Sequence, residues 1–491
     1  MRRSGNELET DLSSFEQKYI GTDEIFAVRR SCTQLERFAF SYFAPKYFRK
    51  KGFLVLTPSL DALQSIASHN ELRTHVQHIW LNPDCFTYDT WERLCQDYRR
   101  SSQAKDQRVV QTRAWEDYKD DNARLLHTSD LTTRLVEALA EFPNLRTVGM
   151  RRSTDHYAHG CATVQRATDR DARILGPIPE DEAKYLSGPT RLFEALVAAV
   201  AQSTVSIERF YTDAIEFDNI PASRLEDQTL SSAFQTLLYL EVNAVKGSLA
   251  PSQHYHRSAS HYSDGRYPGS VLVQLLSHAP KLRELGLQIF PNNKQSYHVA
   301  PTWNRSQSWR VSYPYLAMRT VAETVQLKKL RRLKLEKLTM QSSMLVDLLS
   351  PAAATLRSLK LRDIRLIPWR QGPDGSTVLD GVEKPWRTVF VFLATSCPSL
   401  SFLLLHRILH DSGVIRFVPG APGSAITVGD PPGREGIPFA MHDTVTVTAS
   451  GLDEVQGRVR QLVDAHWYGD YVVCHSLDDK AWHTDTSDED W

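Results

Sequence analysis

The chain has 491 residues, of which 41% are hydrophobic and 24% are charged. This composition is typical of a globular protein, and the length suffices for a large core or an extended solenoid. Its 58 lysine and arginine residues balance 58 aspartate and glutamate residues, which excludes a global field that would attract nucleic acid or an anionic membrane. The six cysteines are scattered, with no C-x-x-C pair. Their pattern argues against a disulfide framework and a zinc module, and favours plain thiols in a reducing compartment.

The sequence predicts neither a secretory signal nor a membrane span. The two arginines at the start of the chain are followed by no apolar stretch. The longest apolar helical run, Leu192 to Ala201, is too short to cross a bilayer and is interrupted by Glu194. We therefore expect a soluble protein of the cytoplasm, the nucleus or both, without a membrane partner.

Residues 8–52 are predicted to form short helices rich in aromatic side chains. The run from Asp23 to Leu35, Asp-Glu-Ile-Phe-Ala-Val-Arg-Arg-Ser-Cys-Thr-Gln-Leu, resembles the later half of an F-box, as found in fungal F-box-like proteins with leucine-rich repeats. Pro-Ser-Leu ending at Leu60 and the segment from His75 to Leu81 look like that family too. The resemblance implies binding to the adaptor subunit of a cullin–RING, SCF-type ubiquitin ligase. It assigns adaptor binding to Leu8, Leu12, Tyr19, Ile20, Ile25, Val28 and Leu35.

The first half of this segment departs from the F-box pattern. The family opens with Leu-Pro-x-Glu-Ile, whereas the chain has Leu-Glu-Thr-Asp-Leu from Leu8 to Leu12. The missing proline helps to fix the first helix and its docking, so the resemblance implies weak adaptor binding. The alternative interpretation is a plain helical cap that shields the first repeat, since terminal repeats need a cover. One segment could serve both purposes.

A pattern of the form apolar-x-x-apolar-x-apolar recurs through residues 53–410. The all-leucine copies are Leu282, Leu285, Leu287; Leu330, Leu333, Leu335; Leu356, Leu359, Leu361; and Leu400, Leu403, Leu405. The looser copies are Val76, Ile79, Leu81; Leu145, Val148, Met150; Ile207, Phe210, Thr212; and Leu237, Leu240, Val242. Most copies follow a stretch with helical apolar spacing, and each ends with the period of two that suits a half-buried strand. This pattern predicts an α/β leucine-rich-repeat solenoid of helix–strand repeats with a parallel sheet.

Polar segments rich in proline, glycine, serine or histidine separate several repeats and are predicted to be loops. They comprise residues 151–190, 248–269, 291–314 and 367–384. Residues 99–125 are predicted to be a further insertion, with one helical turn around Trp115.

Residues 411–483 are predicted to be an α+β capping region. Thr444 to Thr448 alternates like a strand, and residues 451–466 have valines at helical spacing. The last repeat would turn Phe402, Leu404 and His406 outward, so we expect this region to cover the free edge of the sheet. Residues 484–491 form an acidic tail.

No motif for catalysis or cofactor binding is present. The sequence lacks a phosphate-binding loop, a Gly-x-Ser-x-Gly elbow and a His-Glu-x-x-His pair. His254, His256 and His261 lie close together in a serine-rich stretch, but their spacing matches no familiar metal site. We expect no enzyme activity, no cofactor and no metal.

The strand faces carry the most informative side chains. If the leucines point inward, their neighbours Arg332, Lys334, Lys360 and Arg362 share the opposite side of two adjacent strands. With strands about 4.8 Å apart, these cations would form one patch. Such a patch suits an acidic or phosphorylated protein target; the alternative is an ordinary solvated surface.

Together these features predict a non-catalytic protein-binding receptor. By resemblance, it would be the substrate-recognition subunit of an SCF-type ubiquitin ligase. The alternative is a leucine-rich-repeat scaffold with no connection to a ligase.

Overall fold

A computed structural model describes the protein from residue 40 to residue 469, with gaps. The described residues are 40, 43–83, 105–151, 158–168, 187–215, 220, 228–245, 270–290, 313–367, 369–371, 377–379, 384–410, 413–417, 444–448, 452–464 and 466–469. The predicted adaptor-binding residues, the histidines near residue 256 and the acidic tail lie outside them.

Nine strands form one parallel sheet, and their order in space is their order along the chain. The strands are β1 (Lys50–Leu54), β2 (His78–Asn82), β3 (Thr147–Met150), β4 (Arg209–Ile215), β5 (Tyr239–Val245), β6 (Glu284–Phe290), β7 (Arg332–Glu336), β9 (Ser358–Arg362) and β13 (Phe402–His406). A tenth strand, β16 (Thr444–Thr448), pairs antiparallel with β13. The chain is therefore an α/β protein with a large parallel sheet, an arrangement compatible with a solenoid.

Helices lie in the connections between the strands. They are α1 (Thr57–Ser68), α2 (Lys105–His127), α3 (Asp130–Ala140), α4 (Cys161–Thr168), α5 (Ser187–Gln202), α6 (Gln228–Phe234), α7 (Ser270–Ser277), α8 (Tyr313–Thr324), α9 (Ser342–Leu349), α10 (Pro385–Ser396) and α11 (Leu452–Asp464). Short 3₁₀ turns span Leu72–Thr74 and Ser350–Ala352. No helix among the described residues is long and apolar enough to cross a membrane.

The predicted repeat units correspond to the strands of the sheet. Each of the eight leucine-type patterns supplies one strand, namely β2 to β7, β9 and β13. The apolar positions of each pattern are buried, including the threonine of the unit at Ile207. β1 was not predicted, and it begins at Lys50, just before the expected start of the repeats at residue 53. The leucines form the core because parallel pairing places equivalent residues side by side.

A second, narrow ladder runs beside the main sheet. β8 (Thr339–Met340), β10 (Arg365–Leu366) and β14 (Leu409–His410) pair in parallel, and β15 (Gly413–Phe417) and β17 (His466–Gly469) continue the ladder antiparallel. Each of the three parallel strands of this ladder follows a residue in the left-handed region, with φ of 56° at Lys337, 53° at Asp363 and 49° at Arg407. These residues turn the chain between the two sheets in the same way each time.

One predicted insertion is mostly a long helix. Residues 99–125 were expected to hold one helical turn, but α2 is a helix of 23 residues whose Trp115 is 1% exposed. Gln111 and Asn122 occupy buried positions of that helix together with Trp115 and Leu125. Because two of its buried positions are polar, the apolar period was too sparse to indicate a helix.

The prediction of loops was also wrong for parts of two other insertions. Residues 151–190 contain α4 and the start of α5. Residues 367–384 contain an antiparallel hairpin of β11 (Trp369–Gln371) and β12 (Thr377–Leu379). Both α4 and the hairpin strands are very short, so sequence periodicity could not distinguish them from loops.

The C-terminal strand and helix lie where they were predicted. β16 pairs with the whole length of β13, and α11 packs beside α10. Val459 and Leu462 are buried, and the Gln456 amide donates a 2.6 Å hydrogen bond to the carbonyl oxygen of Cys397. This segment therefore occupies the edge of the sheet that β13 would otherwise expose.

Removing residues 412–491 should lower the melting temperature and cause self-association. The truncation uncovers the β13 edge and loses the buried side chains of α11, each of which contributes about 1.5–3 kcal/mol. A control that ends at Gly469 keeps every described element. Thermal melting and size-exclusion chromatography should separate the two proteins. A monomeric first truncation with an unchanged melting curve would show that the segment does not protect the sheet.

Candidate functional site

The two faces of the main sheet have different surroundings. One face carries the leucines and is buried along its whole length. The other face is covered at β1 to β4, where α2 and α4 bury a second apolar cluster. That cluster comprises Leu54, Leu56, Trp80, Trp115, Ala158, Cys161, Val164 and Tyr211.

Glycines allow aromatic rings to lie flat on the covered part of this face. A Cβ atom on Gly52 would come within 2.0 Å of the Trp80 ring, and one on Gly149 within 2.7 Å of the Tyr211 ring. Each glycine is paired in register with the strand that carries the ring above it. The rings occupy the volume that side chains on β1 and β3 would otherwise fill.

α2 is tied to the start of α1 by a carboxylate. Asp121 accepts hydrogen bonds from the Thr57 amide and hydroxyl, each 2.6 Å long. Partial burial acts to raise the pKa of Asp121, but the Thr57 and Arg124 hydrogen bonds outweigh it and hold the pKa below its usual value. The neighbouring Asn122 amide donates to the carbonyl oxygen of Val55 at 2.9 Å. These bonds hold the covering helix against the sheet, because a carboxylate at a helix N-terminus satisfies free backbone amides.

A cluster of polar aromatic residues lies at the boundary between the covered and uncovered parts. His78 Nε2 is 2.6 Å from the Tyr211 hydroxyl. The Arg209 guanidinium lies 5.1 Å from the centre of the Tyr239 ring, and the Tyr239 hydroxyl donates to Glu241 at 2.5 Å. Burial, followed by the charge of Glu241, raises the pKa of Tyr239 far above its usual value. Tyr239 is therefore a neutral hydrogen-bond donor.

From β5 onward, no described helix covers this face, and its side chains are half-buried or exposed except for that of Glu336, which is buried. We call it the open face. It is the side of β5, β6, β7, β9 and β13 that bears a middle row of residues paired across the strands. In order, this row comprises Glu241, Gly286, Lys334, Lys360 and Leu404.

The four predicted basic residues lie together on the open face. Lys334 pairs in register with Lys360, and Glu336 pairs with Arg362. Arg332 is exposed, and the other three are partly exposed. The predicted orientation of these strands, with leucines inward and cations outward, is confirmed.

Carboxylates lie among these cations. Lys334 and Arg362 lie 3.3 Å and 3.8 Å from Glu336, and Arg332 lies 3.7 Å from Glu284. The alternation of the strands places both glutamates on the same face as the cations, but the sequence does not give the distances between them. Glu336 is 7% exposed and holds its two cations at the surface.

The open face ends in apolar side chains. Phe402 and Leu404 on β13 are half-buried, and the Lys360 ammonium lies 5.7 Å from the centre of the Phe402 ring. A cation and an aromatic ring at this distance attract each other. The patch therefore combines positive charge with an apolar margin.

A charged rim borders the open face where its strands end. Burial raises the pKa of Asp363, although the charges of Arg407 and His406 oppose this effect. The Arg407 guanidinium lies 3.2 Å from the Asp363 carboxylate. Burial lowers the pKa of Lys337 on the preceding turn, against the charges of Asp363 and Glu336. Burial therefore disfavours the charged forms of both Asp363 and Lys337 in this rim.

Replacing Asp363 with asparagine should remove a dependence of stability on pH. Because the folded pKa of Asp363 is raised, its contribution is fully present below the unfolded pKa of about 3.9 and is lost as the pH rises through the folded value. The free energy of unfolding of the wild type should therefore fall, relative to Asp363→Asn, as the pH rises from about 3.9 through the folded pKa of Asp363. Asparagine tolerates the left-handed backbone.

Urea unfolding of both proteins across that range would measure the difference. Parallel stability curves would show that Asp363 ionises without a cost in the folded state.

No group of three or more histidine, cysteine, aspartate or glutamate residues is placed to hold a metal ion within the part of the chain that the structure describes. The two described cysteines, Cys161 and Cys397, are buried, and burial raises the pKa of the Cys397 thiol to about 12. A thiol with so high a pKa is a poor nucleophile at neutral pH.

A scan against protein-family models finds no match to the chain, and a search of curated proteins finds no similar sequence.

Proposed function

We propose that the protein is a non-catalytic receptor that binds another protein through the open face. One observation carries this proposal. The strands β5 to β13 present paired rows of charged and apolar side chains that no described helix covers, while equivalent rows on β1 to β4 are buried under α2 and α4. Because helices cover this face of the sheet only at β1 to β4, the charged and apolar side chains of β5 to β13 define an area that a partner can contact.

We further propose that the fold is a leucine-rich-repeat solenoid with a cap at each end. The chain order of the strands, the shared register of the leucines and the repeated left-handed turn at Lys337, Asp363 and Arg407 support this assignment. A single helix–strand unit cannot bury its apolar side alone, so stacked units share one core. β16 and α11 would form the C-terminal cap, and the segment before β1 would form the N-terminal one.

The resemblance of residues 8–52 to an F-box supports a more specific role. We propose that this segment binds the adaptor of an SCF-type ubiquitin ligase, while the open face holds an acidic or phosphorylated target. The chain would then act by proximity, since it raises the concentration of the target near a partner enzyme. Such a role needs no cofactor, metal or nucleic acid, and it fits the cytoplasm or the nucleus. The alternative is a repeat scaffold with no ligase.

Reversing the charges of Lys334 and Lys360 should abolish target capture without unfolding the protein. Lys360 is partly exposed, whereas Lys334→Glu also removes a cation from the nearly buried Glu336, so we expect the variant Lys334→Glu with Lys360→Glu to stay folded with a lowered melting temperature. The matched control is Lys328→Glu with Lys329→Glu, which changes the net charge equally on exposed residues before β7. Affinity purification with quantitative mass spectrometry should find partners that the wild type and the control retain and the face variant loses. Identical partners for all three proteins would rule out the open face as the binding surface.

The ligase role predicts weak adaptor binding that Glu9→Pro strengthens. The substitution restores the proline of the family pattern, which fixes φ at the start of a helix. Co-elution of the purified full-length chain with the adaptor would measure the effect. If neither protein associates with the adaptor, the ligase role is wrong and the segment before β1 is a cap only.

A further inference from the structure

The middle row of the open face has an ordered chemistry. From β5 to β13 it passes from a carboxylate, Glu241, over Gly286 to the cations Lys334 and Lys360, and it ends at Leu404. The order follows the direction across the strands, and no single strand contains it. A ligand that is complementary to this order must therefore lie across the strands.

The spacing of the strands favours a helix over an extended chain. Neighbouring strands are about 4.8 Å apart, and one helical turn rises about 5.4 Å. Over the four steps from β5 to β13, the turns of a helix lying across the strands shift by only about 2 Å relative to the strands. An extended chain places same-side residues about 6.7 Å apart, so over the same four steps its residues would shift by about 8 Å relative to the strands. A helix thus brings about one turn over each strand.

Gly286 contributes no side chain near the middle of the row. The Glu241 side chain leans over it, because an added Cβ on Gly286 would lie 3.2 Å from Glu241 Cγ. The row therefore offers a carboxylate but no bulky side chain at β5 and β6, so a small residue of a partner suits the position over Gly286.

The cations are arranged for a partner with acidic residues in its central turns. Glu336 is nearly buried and lies within 4 Å of both Lys334 and Arg362, which limits the movement of those two cations. Lys360 lies between them and the apolar side chains, beside the ring of Phe402. A partner carboxylate over Lys334 and Lys360 would lie next to a large apolar residue over Phe402 and Leu404.

We propose that the open face binds one amphipathic helix of about four turns that lies across β5, β6, β7, β9 and β13. Its first turn carries a basic residue over Glu241 and a small residue follows over Gly286. Acidic residues lie over Lys334 and Lys360, and a bulky apolar residue lies over Leu404. The N-terminus of the helix lies at β5, because its positive end then meets Glu241 and its negative end lies nearer to Lys360. This inference rests on the proposed function and names its class of partner.

Synthetic peptides provide the test. The matched peptide is a stapled helix of about 16 residues with lysine, alanine, glutamate, glutamate and leucine at successive turns on one side. The control has the same composition in the order glutamate, leucine, lysine, glutamate and alanine, which matches the row in neither direction, and a second control carries two central prolines that break the helix. Fluorescence anisotropy with the full-length chain measures binding at about 50 and 200 mM NaCl.

The matched peptide should bind about ten-fold more tightly than either control, and the difference should shrink at the higher salt concentration. Lys360→Glu and Phe402→Ala should each weaken the matched peptide by about ten-fold, whereas the control Lys329→Glu should leave it unchanged. Thermal melting confirms that each variant is folded, and the comparison of the peptides needs no variant at all.

Equal binding of the matched and scrambled peptides, or of the proline-containing one, would overturn the helix inference. So would a failure of all three to bind. If the reversal of Lys334 and Lys360 still removes captured partners in that case, the proposed function stands and only the class of partner is wrong. If that reversal changes no partner, the open face itself is not a binding surface.

Discussion

Parallel pairing in one shared register decides which side chains are buried and which are presented. On β6, β7, β9 and β13 the buried leucines align in two rows across the sheet, and Lys334 and Lys360 lie between them. The rows comprise Leu285, Leu333, Leu359 and Leu403, and Leu287, Leu335, Leu361 and Leu405. A slip of one residue would exchange the faces and bury lysine and arginine without partners. Burying such charges costs several kcal/mol each, so the leucine core and the charged surface specify one another.

The insertions set the extent of the surface that remains. α2 and α4 arise from segments between β2 and β4, and they cover the sheet where Trp80 and Tyr211 lie flat on glycines. Their positions depend on polar contacts, above all those of Asp121 with Thr57. Among the described residues, the same repeat architecture therefore gives three layers in the N-terminal half and two layers in the C-terminal half. Only the second half has a sheet face open to a partner among the described residues.

Sequence periodicity was sufficient for eight strands of the main sheet and for the orientation of their side chains, because each of these strands carries its own apolar pattern. It was insufficient where burial depends on partners distant in the chain. α2 buries Gln111 and Asn122, so its apolar period is incomplete. The narrow ladder follows from left-handed residues at Lys337, Asp363 and Arg407, which share no residue type. In the candidate site, the alternation placed the four cations on one face, but the ion pairs with Glu284 and Glu336 depend on side-chain conformations that periodicity does not give.

Site-specific photo-crosslinking tests most directly whether the open face binds a protein. A photoreactive amino acid would be placed at Ser358 or Leu404 on the open face, and at Val391, which is 41% exposed on α10, as the control. The account predicts that both face positions crosslink in cells to the same discrete partner, and that Val391 does not. A crosslink to that partner from Val391 alone, or no crosslink from either face position, would contradict it.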